Sequence, residues 1–264
     1  MHLILLSLTG ANVTVKNMVN LPTFLLLSSH LISRTAMYVT VPIFPIYMRY
    51  LGFSITDLGI VTASLGAALI VFEPLWGSLL NRLGAKNLFL LSTFAMVLVL
   101  FSHTIVRDIV GFALVRFLTG VYASAVTVST RTLLSQTIST KERASSTWFA
   151  IYAAAVIIGP IIGGIIATQG FIIVFYSATL IAMISFIMSI GIPRIKNADS
   201  VDAVSGNKGM DKHEKRILLI ASTLIVLPYF LKSAYLTYVP VFAKESTKFL
   251  LGSVEIGLVV SAIG

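Results

Sequence analysis

The chain contains long, nearly uninterrupted apolar runs at 20–47, 55–79, 87–106, 109–133, 146–168, 171–192 and 217–241, and another opens at 253. A helix needs about 20 apolar residues to cross the hydrocarbon core of a bilayer, and these runs are too long for the strands or core helices of a soluble domain. The chain therefore predicts an all-α membrane protein with seven spans and the start of an eighth. Only 11% of its residues are charged and 57% are hydrophobic, against about 25% charged in soluble domains. The formal net charge of +9 does not signal nucleic acid, because the basic residues lie between apolar spans and not in a stripe beside aromatic readers. Cysteine is absent, which excludes a disulfide framework or a thiolate metal site within the chain.

Most connections are short, so successive helices are expected to run antiparallel. The exception is 193–216, rich in Asp, Lys, Gly, Ser and Asn, which reads as a solvated linker between two bundles. The predicted organisation is a tail over 1–19, a six-helix bundle over 20–192, the linker over 193–216, and the start of a second bundle over 217–264. The opening Met1–Leu8 stretch is apolar but lacks the basic region of a secretory leader, so 1–19 is read as a tail. With the N-terminus inside, Lys16, Arg82, Lys86, Lys141, Arg143, Arg194, Lys196, Lys208, Lys212, Lys215 and Arg216 fall on the cytoplasmic side. Arg49, Arg107, Lys244 and Lys248 fall outside, and this asymmetry favours a cytoplasmic N-terminus.

An offset of 198 residues (232 − 34) superimposes 34–66 on 232–264 without a gap. Arg34 then matches Lys232, Val41-Pro42 matches Val239-Pro240, and Asp57-Leu58-Gly59 matches Glu255-Ile256-Gly257. Span seven thus repeats span one, as in carriers built from parallel repeats of six spans. Because the sequence stops at Gly264, inside span eight, the expectation is a fragment whose other half completes the second bundle.

Between spans two and three lies Gly77-Ser78-Leu79-Leu80-Asn81-Arg82-Leu83-Gly84-Ala85-Lys86. This resembles the signature loop of the major facilitator superfamily: Gly, three residues, an acid or Asn, a basic residue, any residue, Gly, any residue, a basic residue. Arg116 to Gly120 in span four resembles that family's second motif. Ala155 and Gly159-Pro160-Ile161-Ile162-Gly163-Gly164 in span five resemble its antiporter-associated motif, and Ser139 to Ala144 resembles its short Glu-Arg loop. The resemblance implies that Gly77, Asn81, Arg82, Gly84 and Lys86 form a gating loop. It also implies that Arg116 takes part in proton coupling or substrate contact. Asn81 stands where the family commonly has an acid, so the charge relay proposed for this loop lacks its anion. Ala155, Gly159, Gly163 and Ala167 recur every four residues, a small-residue stripe that lets helices approach closely, and Pro160 removes a backbone donor within it. Gly120 belongs with this packing set.

His30, Arg34 and Tyr38 share one face of span one at intervals of four. Arg34 and its repeat partner Lys232 both fall near mid-span, where a cation is costly unless it faces a cavity or a partner. Together they could hold an anionic substrate; the structural alternative is that each pairs with an acid. Glu73, followed by Pro74, is the acid inside a span of the first bundle, read as a counter-ion of Arg34 or Arg116 or as the proton carrier. His103 and His213 read as surface residues. No cofactor or metal site is indicated, and nothing suggests an enzyme.

The resemblance implies a multi-pass plasma-membrane secondary transporter that moves a small organic solute by alternating access. Its expected partners are the solute, a proton or counter-solute, the lipid bilayer, and the missing half, but no nucleic acid. Three readings follow: proton-coupled export by a drug- or metabolite-type antiporter, an organic-anion or phosphate-ester exchanger using Arg34 and Lys232, and an inactive truncated or scaffold half-carrier.

Overall fold

The computed structural model describes residues 21–193, 216, 234–245 and 252–263. Its helices are α1 (Leu21–Thr40), α2 (Ile43–Tyr50), α3 (Ile55–Leu83), α4 (Ala85–Ser102), α5 (Ile109–Thr137), α6 (Lys141–Ala167), α7 (Phe171–Ile190) and α8 (Ser253–Ile263). A further helical segment covers 234–245. With α1 and α2 taken as one span of 30 residues, six helices among the described residues are long and apolar enough to cross a membrane. The tail 1–19 and most of the linker and of span seven lie outside the described residues.

Local chemistry sets the helix boundaries. Pro42 lacks the N–H that would continue the ladder, and span one breaks there into α1 and α2. Ser54 and Asp57 form a reciprocal capping box at the start of α3. Asp108 accepts from the Gly111 N–H at 2.8 Å and opens α5. Thr140 accepts from the Arg143 N–H and opens α6, so Lys141, Glu142 and Arg143 form its first turn, where the sequence suggested a loop.

The 77–86 motif is also mostly helical. Gly77 to Leu83 continue α3, and the chain reverses at Gly84 alone before α4 begins at Ala85. Gly84 has φ 75° and ψ 149°, a region almost reserved for glycine, which explains that residue without recourse to the rest of the motif. The same end of α4 reaches across the bundle, where the Lys86 ammonium donates to the Ile190 carbonyl at the end of α7. A cation placed there also complements the negative end of that helix.

The helices alternate in direction, giving the bundle a Leu21 end and a Tyr50 end. α1 packs on α6 and α7, α5 packs on α3 and α4, and α4 packs on α7. One apolar cluster joins Ala36, Val39 and Ile43 of the first span to Met96, Val115, Tyr122 and Ala178. Lipid tails are as apolar as these side chains, so close backbone approach and polar contacts must supply the specificity of packing. At the first of these, a Cβ on Gly120 would lie 2.6 Å from Ala68 Cβ on α3. Cβ atoms on Gly159 and Gly163 would collide with Tyr38 and with the Val39 backbone of α1. The stripe on α6, with Ala155 fully buried, is therefore a helix seam. Gly77, by contrast, is exposed with nothing near its absent side chain, so it makes no close approach among the described residues.

Polar contacts complete the cross-bracing. Ser29 and Ser185 exchange hydroxyl-to-carbonyl bonds of 2.9 and 2.8 Å between α1 and α7. Ser64 donates to the Ala113 carbonyl and the Trp76 indole to the Val121 carbonyl, both from α3 to α5.

The segments after the linker cover the Tyr50 end. Gly257 of α8 sits against Pro160 and Gly164 of α6, and Ile256 and Val260 pack with Ile46. Val241 joins Phe44, Tyr47 and Phe112. The Arg49 Nε to Glu245 Oε1 ion pair, at 2.6 Å, ties the 234–245 segment to α2. α3 and α8 start 198 residues apart, but Pro42 separates α1 from α2 whereas its counterpart Pro240 lies within the helical segment 234–245. Ser54 and Gly252 accept the first backbone bonds of α3 and α8, from Leu58 and Ile256, at 3.2 and 3.1 Å.

Candidate functional site

α1, α5 and α6 converge around one cation. Arg34 lies about 20 Å along the helix from Leu21, near mid-bilayer depth. It is 5% exposed. Its Nη2 donates to Thr127 Oγ1 at 2.7 Å, and that hydroxyl itself donates to the Ala123 carbonyl. The guanidinium carbon is 5.8 Å from the Trp148 ring centre and 5.9 Å from that of Tyr152, within cation–π range. The two rings stack on each other at 5.3 Å and 15°. Tyr38 donates its hydroxyl to that of Tyr152 at 2.6 Å. Arg34 Nε and both ring nitrogens of His30, all buried, have no hydrogen-bond partner among the described residues.

The intervals of four in α1 therefore do bring His30, Arg34 and Tyr38 to one place. His30 stacks on Trp148 at 6.0 Å, and Tyr38 meets Tyr152 edge-on. Lys232 lies outside the described residues. Glu73 does not act as a counter-ion here. It is exposed on α3, and the one ion pair among the described residues is Arg49–Glu245. The reason is packing: α3 rests chiefly on α5, and its Glu73 turn projects beyond that contact.

Arg116 is a separate site. Its guanidinium lies 3.5 Å from the Phe44 ring centre in the Tyr50 half of the bundle. Arg116 and Thr127 are eleven residues apart on α5, roughly 16 Å, so Arg116 and Arg34 do not share a ligand-sized pocket. His103 is not a surface residue. It is 1% exposed, stacked on Phe175 at 5.3 Å, and its Nδ1 is 2.9 Å from the Val99 carbonyl. The aromatic side chains of α2 and α7 close over the end of α4 and enclose it. Asn81 and Arg82 are exposed on the last turns of α3.

Sequence reasoning did not single out Thr127, Arg131, Trp148 or Tyr152. Arg131 is exposed, with its guanidinium 4.4 Å from the Trp148 ring centre, and the Trp148 indole donates to Thr130 Oγ1. A signal for Arg131 was present, because it falls inside the apolar run 109–133, where any charge merits attention. Trp148 and Tyr152 share a face at an interval of four, but only the fold brings that face to Arg34. No group of three or more His, Cys, Asp or Glu residues suited to a metal occurs among the described residues.

Residues 26–264 match the family model described as Major Facilitator Superfamily. The chain is 26% identical over 154 residues to the quinolone resistance protein NorA of Staphylococcus aureus, covering 58% of this chain and 40% of that protein. It is 23% identical over 249 residues to multidrug resistance protein 2 of Bacillus subtilis, covering 90% of this chain and 62% of that one. Its fold is similar to a crystal structure of a mutant nucleoside transporter NupG, with a TM-score of 0.68 at 16% identity over 92% of this chain and 64% of NupG. The chain thus spans between two fifths and two thirds of the length of these proteins. It is a multi-pass, all-α membrane protein, and it belongs to the major facilitator superfamily.

Proposed function

We propose that this chain is part of a secondary active transporter in the plasma membrane that exports a small organic solute by alternating access, in exchange for protons. The observation that carries this reading is the buried Arg34 guanidinium, held at mid-depth by Thr127, Trp148 and Tyr152 with no acid paired to it among the described residues. Placing an Arg at the bilayer centre costs about 3 kcal/mol on insertion scales, so such a group normally marks a solute or ion pathway. The names of the relatives, quinolone resistance and multidrug resistance, support an organic solute and outward transport. With the N-terminus cytoplasmic, the Tyr50 end faces outward. The contacts of α8 and 234–245 with the first bundle would then close the outer side, and the two bundles would rock about the Arg34 level.

A second reading, exchange of organic anions or phosphate esters through Arg34 and Lys232, is favoured by the missing counter-ion of Arg34. Counterflow in proteoliposomes at clamped pH separates the two. Solute movement that follows an imposed pH gradient supports proton-coupled export. Exchange that needs a trans anion and ignores the pH gradient supports the anion exchanger. Absence of both defeats the transporter reading and favours a scaffold half-carrier.

A further inference from the structure

Between α3, α4 and α5 lies a crevice of about 180 Å³. It arises because two neighbouring helices diverge. Gly84 alone joins α3 to α4, yet α3 rests on α5 and barely touches α4. Trp76 of α3 forms one wall, fixed by the bond of 3.0 Å from its indole to the Val121 carbonyl of α5. Leu88, Ser92, Ala95 and Val99 of α4 form the facing wall. Ser92 spends its hydroxyl on the Phe89 carbonyl of its own helix, so that wall presents no free donor. Leu91 and Leu118 also line the crevice and are exposed, which places its mouth on the outer surface of the bundle.

In a membrane-spanning bundle that surface meets hydrocarbon. Apolar cavities of about 150 Å³ stay dry and take up hydrocarbon guests. From Leu88 to Val99 the α4 wall runs about 16 Å along the helix, close to half of the roughly 30 Å bilayer core. The crevice therefore has the length of one leaflet and lies parallel to its chains. Its end nearer Leu21 is basic. Arg82, about 9 Å along α3 from Trp76, is exposed and in no ion pair among the described residues. Lys86, Arg131, Lys141 and Arg143 lie at the same end of the bundle, against Glu142. Lys86 reaches away to the Ile190 carbonyl and Arg131 lies over Trp148, so Arg82 is the free cation on the crevice side.

We propose that this crevice is a binding site for one anionic phospholipid of the leaflet at the Leu21 end. An acyl chain fills the space between Trp76 and Ala95, and the head-group phosphate is held at Arg82. A slot of leaflet length with a cation at its interfacial end matches the two parts of such a lipid. The bound lipid would wedge between α3 and α4 and brace the hairpin that Gly84 turns. The site stands or falls independently of what the protein transports.

The test is the emission of Trp76 in protein carrying Trp148→Phe, which leaves Trp76 as the reporter within this chain, reconstituted in phosphatidylcholine bilayers. The probes are brominated phosphatidylglycerol and brominated phosphatidylcholine, whose bromines quench an indole on contact. The expected result is quenching by the anionic lipid at a mole fraction about fivefold lower, the effect of one cation at an anionic surface. Arg82→Gln should remove that preference and leave quenching by phosphatidylcholine unchanged. Ala95→Leu, which narrows the crevice, should weaken quenching by both lipids. Lys141→Gln, at the same end of the bundle but on α6, should leave the preference intact. Equal quenching by the two lipids overturns the proposal, as does a preference that survives Arg82→Gln. A loss in Lys141→Gln as large as in Arg82→Gln overturns it too, because the attraction would then be diffuse surface charge. Unaltered quenching in folded Ala95→Leu removes the crevice from the account. Should Trp148→Phe fail to fold, native mass spectrometry of the parent and Arg82→Gln counts retained phosphatidylglycerol instead, and equal retention overturns the proposal.

Discussion

Consider Gly163→Ala on the α6 seam. The added methyl would be driven into the Val39 carbonyl of α1, with Val39 C at 3.0 Å and Cα at 3.3 Å behind it. These are backbone atoms of a buried helix, so no side-chain rotation can relieve the clash. Overpacking typically costs about 1–3 kcal/mol, and a rigid neighbour places this case at the upper end. Alanine is favoured over glycine inside a helix by about 1 kcal/mol, leaving a net loss of about 2. Gly77→Ala makes the control. It is also inside a helix, but a Cβ there meets nothing within 4 Å. It keeps the propensity gain of about 1 kcal/mol and adds no clash. The two variants should therefore differ by about 3 kcal/mol, or roughly 6–12 °C in melting temperature for a chain of this size. Thermal unfolding of the detergent-purified protein, followed by far-UV circular dichroism, reads the difference directly. A Gly163→Ala protein as stable as its parent would refute the close-approach argument. A Gly77→Ala protein destabilised to the same extent would refute the claim that the two glycines play different parts.

Three other outcomes follow from named contacts. Glu245→Gln should loosen the Tyr50 end, raising the rate at which an impermeant maleimide labels Thr62→Cys in this cysteine-free chain. A half-exposed pair is worth about 0.2–1 kcal/mol, so the rate should rise by no more than about fivefold, and the charge swap Arg49→Glu with Glu245→Arg should reverse it. Unchanged labelling would deny the pair any role in closing that end. Ser29→Ala should cost about 0.6–1.7 kcal/mol by removing one half of the α1–α7 hydroxyl exchange, measurable as a lower melting temperature. Gly84→Ala should cost about 1–3 kcal/mol, because its backbone conformation is closed to other residues; an unchanged melting point would contradict that geometry.

The spans could be read from the sequence because bilayer thickness constrains apolar length directly, and this is why helices α3 to α7 fall where the runs predict. Their ends were less visible. Thr140 caps α6 with its hydroxyl and Gly84 turns the chain between α3 and α4, so both helices run into stretches whose polar residues suggested loops. The face carrying His30, Arg34 and Tyr38 was legible because it depends only on helical period. What surrounds it was not, since Trp148 and Tyr152 reach Arg34 across more than a hundred residues of chain. Glu73 is a different case, exposed on α3 and unpaired with Arg34 or Arg116 among the described residues. An acid within an apolar run suggests an internal counter-ion, but whether it turns inward depends on how α3 packs, and that is a property of the bundle.

The most direct test of the account is solute accumulation in everted membrane vesicles from cells expressing the protein, with the parent and Arg34→Gln at matched levels. Proton-coupled export requires uphill uptake of a small organic solute by the parent, collapse of that uptake with a protonophore, and a loss of about tenfold or more in Arg34→Gln. Uptake indifferent to both the protonophore and the substitution would contradict it.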